Sequence, residues 1–181
     1  MLGRTDLLDI RDYREGSDAG EVGRLIADTY SEFNLGFAAP HEKDLFLGPF
    51  RHAGSLAAGH REAIARVIQA SQVYVAEDCG EIVGVLRGRV DRLQSLFVRG
   101  NRQRQGIGRQ LVQRFHRECL RLGGREIKVA ATLYGVPFYL ALGYKRTTGI
   151  RQMRSFEGQG LPYRPMKRVL GPDGCGRRIE P

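Results

Sequence analysis

Leu96-Phe97-Val98 is a short apolar run of strand type. Arg99-Gly100-Asn101-Arg102-Gln103-Arg104-Gln105-Gly106-Ile107-Gly108 follows as a basic, glycine-bearing loop, and Arg109-Gln110-Leu111 leads into a segment with helical periodicity. Strand, glycine loop and helix in that order can cradle a phosphate. Gly106 and Gly108 let the backbone turn with no Cβ in the way, so several N–H groups at the helix start can converge on one anion. The helix dipole and the guanidiniums of Arg102, Arg104 and Arg109 add to the attraction. Two common nucleotide cradles are excluded: Leu111 stands where G-x-G-x-x-G needs its third glycine, and no Gly-Lys-Ser/Thr occurs.

Gln103-Arg104-Gln105-Gly106-Ile107-Gly108 resembles the Q/R-x-x-G-x-G/A signature of the GNAT superfamily of acyl-CoA N-acyltransferases. Downstream, Val136-Pro137-Phe138-Tyr139-Leu140-Ala141-Leu142-Gly143-Tyr144 is similar to that family's F-Y-x-x-x-G-F/Y helix. Thr147-Thr148-Gly149 and Pro165-Met166-Lys167 also look like the closing strands of small family members. The resemblance spans residues 7–170 and is tightest over 82–170. It implies acetyl-CoA as cosubstrate and direct acetyl transfer to a primary amine in a ternary complex, with no metal and no cysteine nucleophile. It also implies that Phe97 and Val98 pair through their backbone with pantetheine. Gln103, Arg104, Gln105, Gly106, Ile107, Gly108 and Arg109 would form the pyrophosphate loop, and a backbone N–H near Val98 would polarise the thioester oxygen.

Tyr139 occupies the motif's tyrosine, where family members use the phenol as general acid toward the leaving thiolate. A phenol of pKa about 10 stays protonated at neutral pH, as that role requires. Phe138 and Tyr144 are read as core. Three positions depart from the family pattern: Thr132 stands where many relatives carry asparagine, Gly135 where alanine is common, and Gln94 where some carry a glutamate. An alkylammonium of pKa about 10.4 is neutral in only about one molecule in 2,500 at pH 7, a deficit of about 4.6 kcal/mol. Gln94 cannot offset it as a base. Asp91 and Glu32 are the candidate substitutes through water, and Tyr30, Phe33, Asn34 and Phe37 are candidate acceptor-pocket residues.

These residues need a scaffold, and 181 residues suffice for one domain with a sizeable core. We expect that domain over 1–170 and a loose tail over 171–181. No apolar run approaches a membrane span, and Met1-Leu2-Gly3-Arg4-Thr5-Asp6 carries no apolar leader, so a soluble, cytoplasmic protein is expected. Cys79, Cys119 and Cys175 match no zinc spacing and are expected to be idle thiols. His41, His52, His60 and His116 lack metal-ligand spacing and are expected at the surface. The net charge of +9 is carried mostly by arginine and spread along the chain, without aromatics interleaved in its densest stretch. Nucleic-acid binding is therefore disfavoured, and the charge is expected to steer anionic CoA.

Along the chain, Leu7–Tyr13 reads as a strand. Asp18 and Glu21 read as a capping box for a helix bearing Val22, Leu25, Ile26, Thr29 and Phe33. Glycines and prolines break up 34–60, and Glu62–Ala70 resumes a helical pattern. Val73–Ala76 and Ile82–Leu86 form a hairpin about Asp78-Cys79-Gly80. A strand at 91–98, a helix over 106–122 stopped by Gly123-Gly124, a strand at 127–131, a short helix at 135–142 and strands near 144–156 and 166–170 complete the pattern. This is an α/β (α+β) arrangement. The resemblance makes it a GNAT-like mixed, mostly antiparallel twisted sheet of about six or seven strands flanked by helices, with parallel fourth and fifth strands that splay apart.

A small-molecule amine is the favoured acceptor, with a protein lysine or N-terminus as the alternative. An acyl-CoA-binding sensor without turnover is the rival from another class, motivated by Gln94. A homodimer is one assembly open to such a chain, and no membrane partner is expected.

Overall fold

The computed structural model describes residues 8–171. Its elements are β1 (Asp9–Asp12), α1 (Glu15–Phe33), α2 (Lys43–Leu47), α3 (Ala58–Ile68), β2 (Gln72–Asp78), β3 (Glu81–Arg89), β4 (Arg92–Val98), α4 (Ile107–Arg121), β5 (Glu126–Thr132), α5 (Val136–Ala141), β6 (Lys145–Arg146), β7 (Arg151–Ser155) and β8 (Gly158–Val169). They build one mixed sheet of eight strands in the order β1-β2-β3-β4-β5-β8-β6, with β7 paired to the first half of β8. Every pairing is antiparallel except β4 with β5. One face packs on α4 and α5 through Leu111, Val112, Phe115 and Tyr144, and the other on α1 to α3 through Val22, Ile26, Phe46 and Ile68.

Local chemistry accounts for most of these elements. Cys79 and Gly80 both have positive φ, 52° and 82°, as a two-residue hairpin turn between right-twisted strands requires. Helix α4 buries Ile107, Leu111, Phe115 and Cys119 along one stripe. It stops at Gly123, φ 82°, where Gly124 N–H donates to Cys119 O at 2.8 Å and Gly123 N–H to Leu120 O at 3.0 Å, closing a Schellman cap.

Three expectations change. Helix α1 starts before Asp18, so Asp18 is not its N-cap. Its buried carboxylate instead accepts from Arg14 N–H at 2.8 Å and from Arg11 Nη1 at 2.6 Å, because the guanidinium of Arg11 on β1 draws it inward. Glu21 likewise caps nothing in α1 and accepts from Ile82 N–H at 2.8 Å. The last strand begins at Gly158 rather than near 166, running through Pro162 and Pro165. The sheet also has eight strands rather than six or seven, since β6 holds only two residues and β7 pairs with β8 alone. Leu7, Cys175 and the tail from 172 onward lie outside the described residues.

His116 departs from its expected surface position. It is 8% exposed, and its Nε2 lies 2.8 Å from the hydroxyl of Tyr144, itself buried in the core as expected. Burial pulls the imidazole from its ordinary 6.5 down to about 4, so the folded state holds it neutral. Between those values the unfolded chain binds the extra proton, so stability falls as pH drops from about 6.5 toward 4. We expect a loss on the order of 3 kcal/mol from this site, checked by urea unfolding at stepped pH; His116→Gln should flatten that limb.

Candidate functional site

A bulge on β4 creates the cleft. On β3, Arg87 pairs with Ser95 but Gly88 pairs with Leu93, leaving Gln94 as an extra residue. At that point β4 also leaves β5: the parallel ladder holds only Arg92↔Lys128 and Leu93↔Val129, whereas β5 goes on pairing with β8 to Thr132. The two strands therefore part into a V. The bulge also shifts the alternation of β4, so Leu93, Leu96 and Val98 pack with the α4 side while Phe97 packs with the α1 side.

A cavity of about 710 Å³ fills the V and continues under α1. Its lining includes Phe97, Val98, Gln103, Arg104, Gly106, Ile107, Gly108, Arg109 and Tyr139, all anticipated from sequence. Gln105 is not among them; its side chain turns back to donate to Asn101 O at 3.2 Å. The loop from β4 to α4 holds two left-handed residues, Arg104 at φ 64° and Gly106 at φ 84°, the kind of turn that can gather backbone N–H groups around an anion at a helix start. A Cβ on Gly108 would lie 3.2 Å from the Phe138 ring and 3.7 Å from Val98 Cγ2, so glycine keeps the floor of the loop clear. Phe138, expected in the core, packs against it and also forms part of the cavity wall.

Tyr139 is 7% exposed, packed edge-on against Phe138 and Tyr144 with ring centroids 5.2 and 5.3 Å apart. Its hydroxyl has no hydrogen-bond partner among the described residues. Burial pushes its pKa above the ordinary 10. The phenol is thus protonated at neutral pH, with its donor unspent.

Side chains lace the mouth of the V. Thr132 Oγ1 donates to Asn34 Oδ1 at 2.5 Å, joining the end of β5 to the end of α1. Phe33 stacks on Tyr134, centroids 5.1 Å apart. Tyr134 donates to Gln103 Oε1 at 2.6 Å, and Gln103 Nε2 donates to Val98 O at 3.0 Å. Tyr134 was not legible as a site residue, since nothing in its sequence surroundings marks an exposed tyrosine as a bridge.

Tyr30, Phe33 and Asn34 line the cavity as expected, with the Tyr30 hydroxyl donating to Ser155 Oγ at 2.9 Å. Phe37 does not; it is 49% exposed and lies edge-on to Phe46. Neither candidate base reaches the cavity. Asp91 sits at the far end of β4, paired with Arg89 at 2.8 Å, and Glu32 faces outward on α1. The opposite wall, Met153 to Phe156, comes from the β7–β8 hairpin and went unrecognised. Arg87 was also missed, although a charge closing the apolar run Ile82-Val83-Gly84-Val85-Leu86 was a visible signal.

Among the described residues no cluster of His, Cys, Asp or Glu could hold a metal ion, and no helix is long and apolar enough to cross a membrane. Cys119 is buried and its thiol is pushed up to about 11, so it is not a thiolate at neutral pH.

A sheet opened between two parallel strands, with a glycine loop and helix start at the mouth of the gap, is the scaffold of an acetyltransferase. Residues 52–170 match the family described as the acetyltransferase (GNAT) domain. The chain belongs to that family. Among solved structures, a GCN5-related N-acetyltransferase from Rhodopseudomonas palustris superposes with a TM-score of 0.71 at 17% identity, covering 94% of this chain and 99% of that one. PaiA N-acetyltransferase from Thermoplasma acidophilum, in complex with coenzyme A, gives 0.66 at 12% identity, with 90% and 98% covered. An aminoglycoside 6'-N-acetyltransferase complexed with coenzyme A gives 0.56 at 18% identity, with 91% and 98% covered. A search of curated protein sequences finds no match.

Proposed function

We propose that the protein is an N-acetyltransferase that moves the acetyl group of acetyl-CoA directly to a primary amine of a small molecule. The observation that carries this reading is the position of Tyr139: a buried phenol with an unspent donor on the wall of the same cavity that the Gly106–Gly108 loop borders. Backbone N–H groups from Gln103 to Arg109 would hold the pyrophosphate, Gln105 through its main chain alone. The backbone of Phe97 and Val98 would pair with pantetheine along the freed edge of β4, and this laid-out chain would bring the thioester between Val98 and Tyr139.

In the transfer the amine nitrogen forms its bond to the thioester carbon as the C–S bond breaks. The phenol of Tyr139 donates to the departing sulfur and is reprotonated from the amine nitrogen through solvent. No carboxylate lines the cavity among the described residues, so the acceptor would have to arrive neutral or be deprotonated by water. Desolvation against Tyr30, Phe97 and Leu161, with guanidiniums nearby, lowers an ammonium's pKa and favours the reactive form. A small acceptor is supported by the walls on both sides of the cavity, Phe50 and α1 on one and the β7–β8 hairpin on the other.

Thiol release from acetyl-CoA, followed over polyamines, amino acids, aminoglycosides, arylamines and lysine peptides, tests the reading. Turnover with a free small amine and none with peptides is expected. Turnover confined to lysine peptides would replace the small acceptor with a protein one. Acetyl-CoA binding without any amine-dependent release would make the protein a sensor.

A further inference from the structure

The acceptor half of the cavity, between α1 and the β7–β8 hairpin, has a one-sided charge pattern. Arg87 and Arg154 both line it, and no aspartate or glutamate does among the described residues. Arg87 lies on β3 directly across from Ser95 on β4. Its Nε donates to Ile68 O at 2.7 Å and its Nη2 to Gln69 O at 3.4 Å, at the C-terminal end of α3, and it forms no ion pair among the described residues. Two backbone carbonyls hold this guanidinium in place; the helix end offsets part of its charge, and no carboxylate among the described residues neutralises the rest. Beside it, the Ser95 hydroxyl is buried and has no hydrogen-bond partner. Such a group costs free energy unless a water molecule or a bound ligand pairs with it, so it is a donor at hand beside the guanidinium. Arg154 is exposed and likewise unpaired by any carboxylate among the described residues, its Nε donating to Phe156 O at 2.5 Å. Much of the remaining surface is apolar or aromatic, from Tyr30, Phe50, Phe97, Met153 and Leu161, with uncharged polar groups such as Thr29, Asn34 and Ser155 among them.

From this juxtaposition we infer that the acceptor is an amine of the α-amino acid type, with an apolar side chain and a carboxylate held by Arg87 and Ser95. This rests on the acetyl-transfer reading above and deepens it. A guanidinium with N–H groups left over beside a free hydroxyl donor is suited to a carboxylate. Arg154 extends the positive field to the cavity rim, and the apolar walls take the side chain. A polycationic acceptor, by contrast, would meet these guanidiniums with no counter-charge to receive it.

The test uses the unaltered full chain and compares matched pairs that differ only at the anion: leucine with leucinamide, phenylalanine with phenylalaninamide, methionine with methioninamide. Spermidine and kanamycin run alongside. We expect kcat/KM at least about tenfold higher for the acid of the best pair than for its amide, and neither polycation turned over. Arg87→Gln should shrink that ratio. Because Arg87 also secures the end of α3, Ser95→Ala, which breaks no hydrogen bond, is the companion variant and should raise KM for the acid with kcat largely kept. Amides equal to acids, or a polycation as the best acceptor, would overturn this inference and leave acetyl transfer standing. No thiol release with any amine, in protein that binds acetyl-CoA by calorimetry, would overturn the transfer reading and this inference with it.

Discussion

Tyr139→Phe is expected to lower kcat by about 10²- to 10⁴-fold while acetyl-CoA affinity stays within about threefold. The ring packing on Phe138 and Tyr144 survives the change, and the deleted hydroxyl has no partner to leave stranded. Thermal stability should therefore hold, since no hydrogen bond is lost with the hydroxyl. The pH profile adds a second check. Burial raises the phenol above its ordinary 10, so its O–H is present across the neutral range. The rate of the unaltered enzyme should then climb with pH as the acceptor amine loses its proton, with no falling limb from Tyr139 at neutral pH. Single-turnover and steady-state thiol release, each with calorimetric Kd, decide the matter. Equal kcat for the two proteins would remove the phenol from the chemistry, and a parallel loss of affinity and rate would make Tyr139 a wall residue.

Gly108→Asp should have the other large effect, weakening acetyl-CoA binding by about 100-fold or more, which is about 2.7 kcal/mol. Two terms contribute. Any Cβ here presses to 3.2 Å from the Phe138 ring, tight enough that the ring must give by a few tenths of an ångström. The carboxylate then stands where backbone N–H groups and the dipole of α4 would otherwise meet a diphosphate. Gly108→Ala separates them, carrying the contact without the charge, and should bind within about tenfold of the unaltered protein. Calorimetry on the pair checks the loop assignment: aspartate binding as well as alanine would sink it.

The legible parts of this molecule are those where local chemistry and tertiary demand agree. The hairpin about Cys79-Gly80, the glycine stop of α4 and the loop from Gln103 to Arg109 each follow from backbone requirements that few residues satisfy. Strand β8 starts well before 166 and contains Pro162 and Pro165, residues that ordinarily interrupt an interior strand. At Pro165 the carbonyl still receives Thr147 N–H at 3.0 Å, so the ladder on that side continues through its acceptor. Asp18 looked like a cap because Ser, Asp and Asn at helix starts usually are. Its contact with Arg11 crosses from helix to strand and has no local signature. The same holds for the acceptor half of the site. Tyr30, Phe33 and Asn34 were reached by placing the end of α1 near the cleft, whereas Arg87, Ser95 and the wall from Met153 to Phe156 meet only through long-range packing. Asp91 and Glu32 do not line the cavity: Asp91 lies in the turn before β4, paired with Arg89, and Glu32 is exposed on α1.

The extra residue at Gln94 makes the lining of the cleft depend on a count rather than on a side chain. Because one strand position carries no partner, everything after it on β4 is out of phase with everything before it, and Ser95 and Phe97 reach the acceptor half only by that offset. Removing a single residue there, of whatever type, would exchange the two faces of the strand's end. Leu96 and Val98 would then turn toward the acceptor, and Phe97 would be driven into the packing of α4. This chain should therefore keep its cleft with many different residues at position 94, but not with that position deleted.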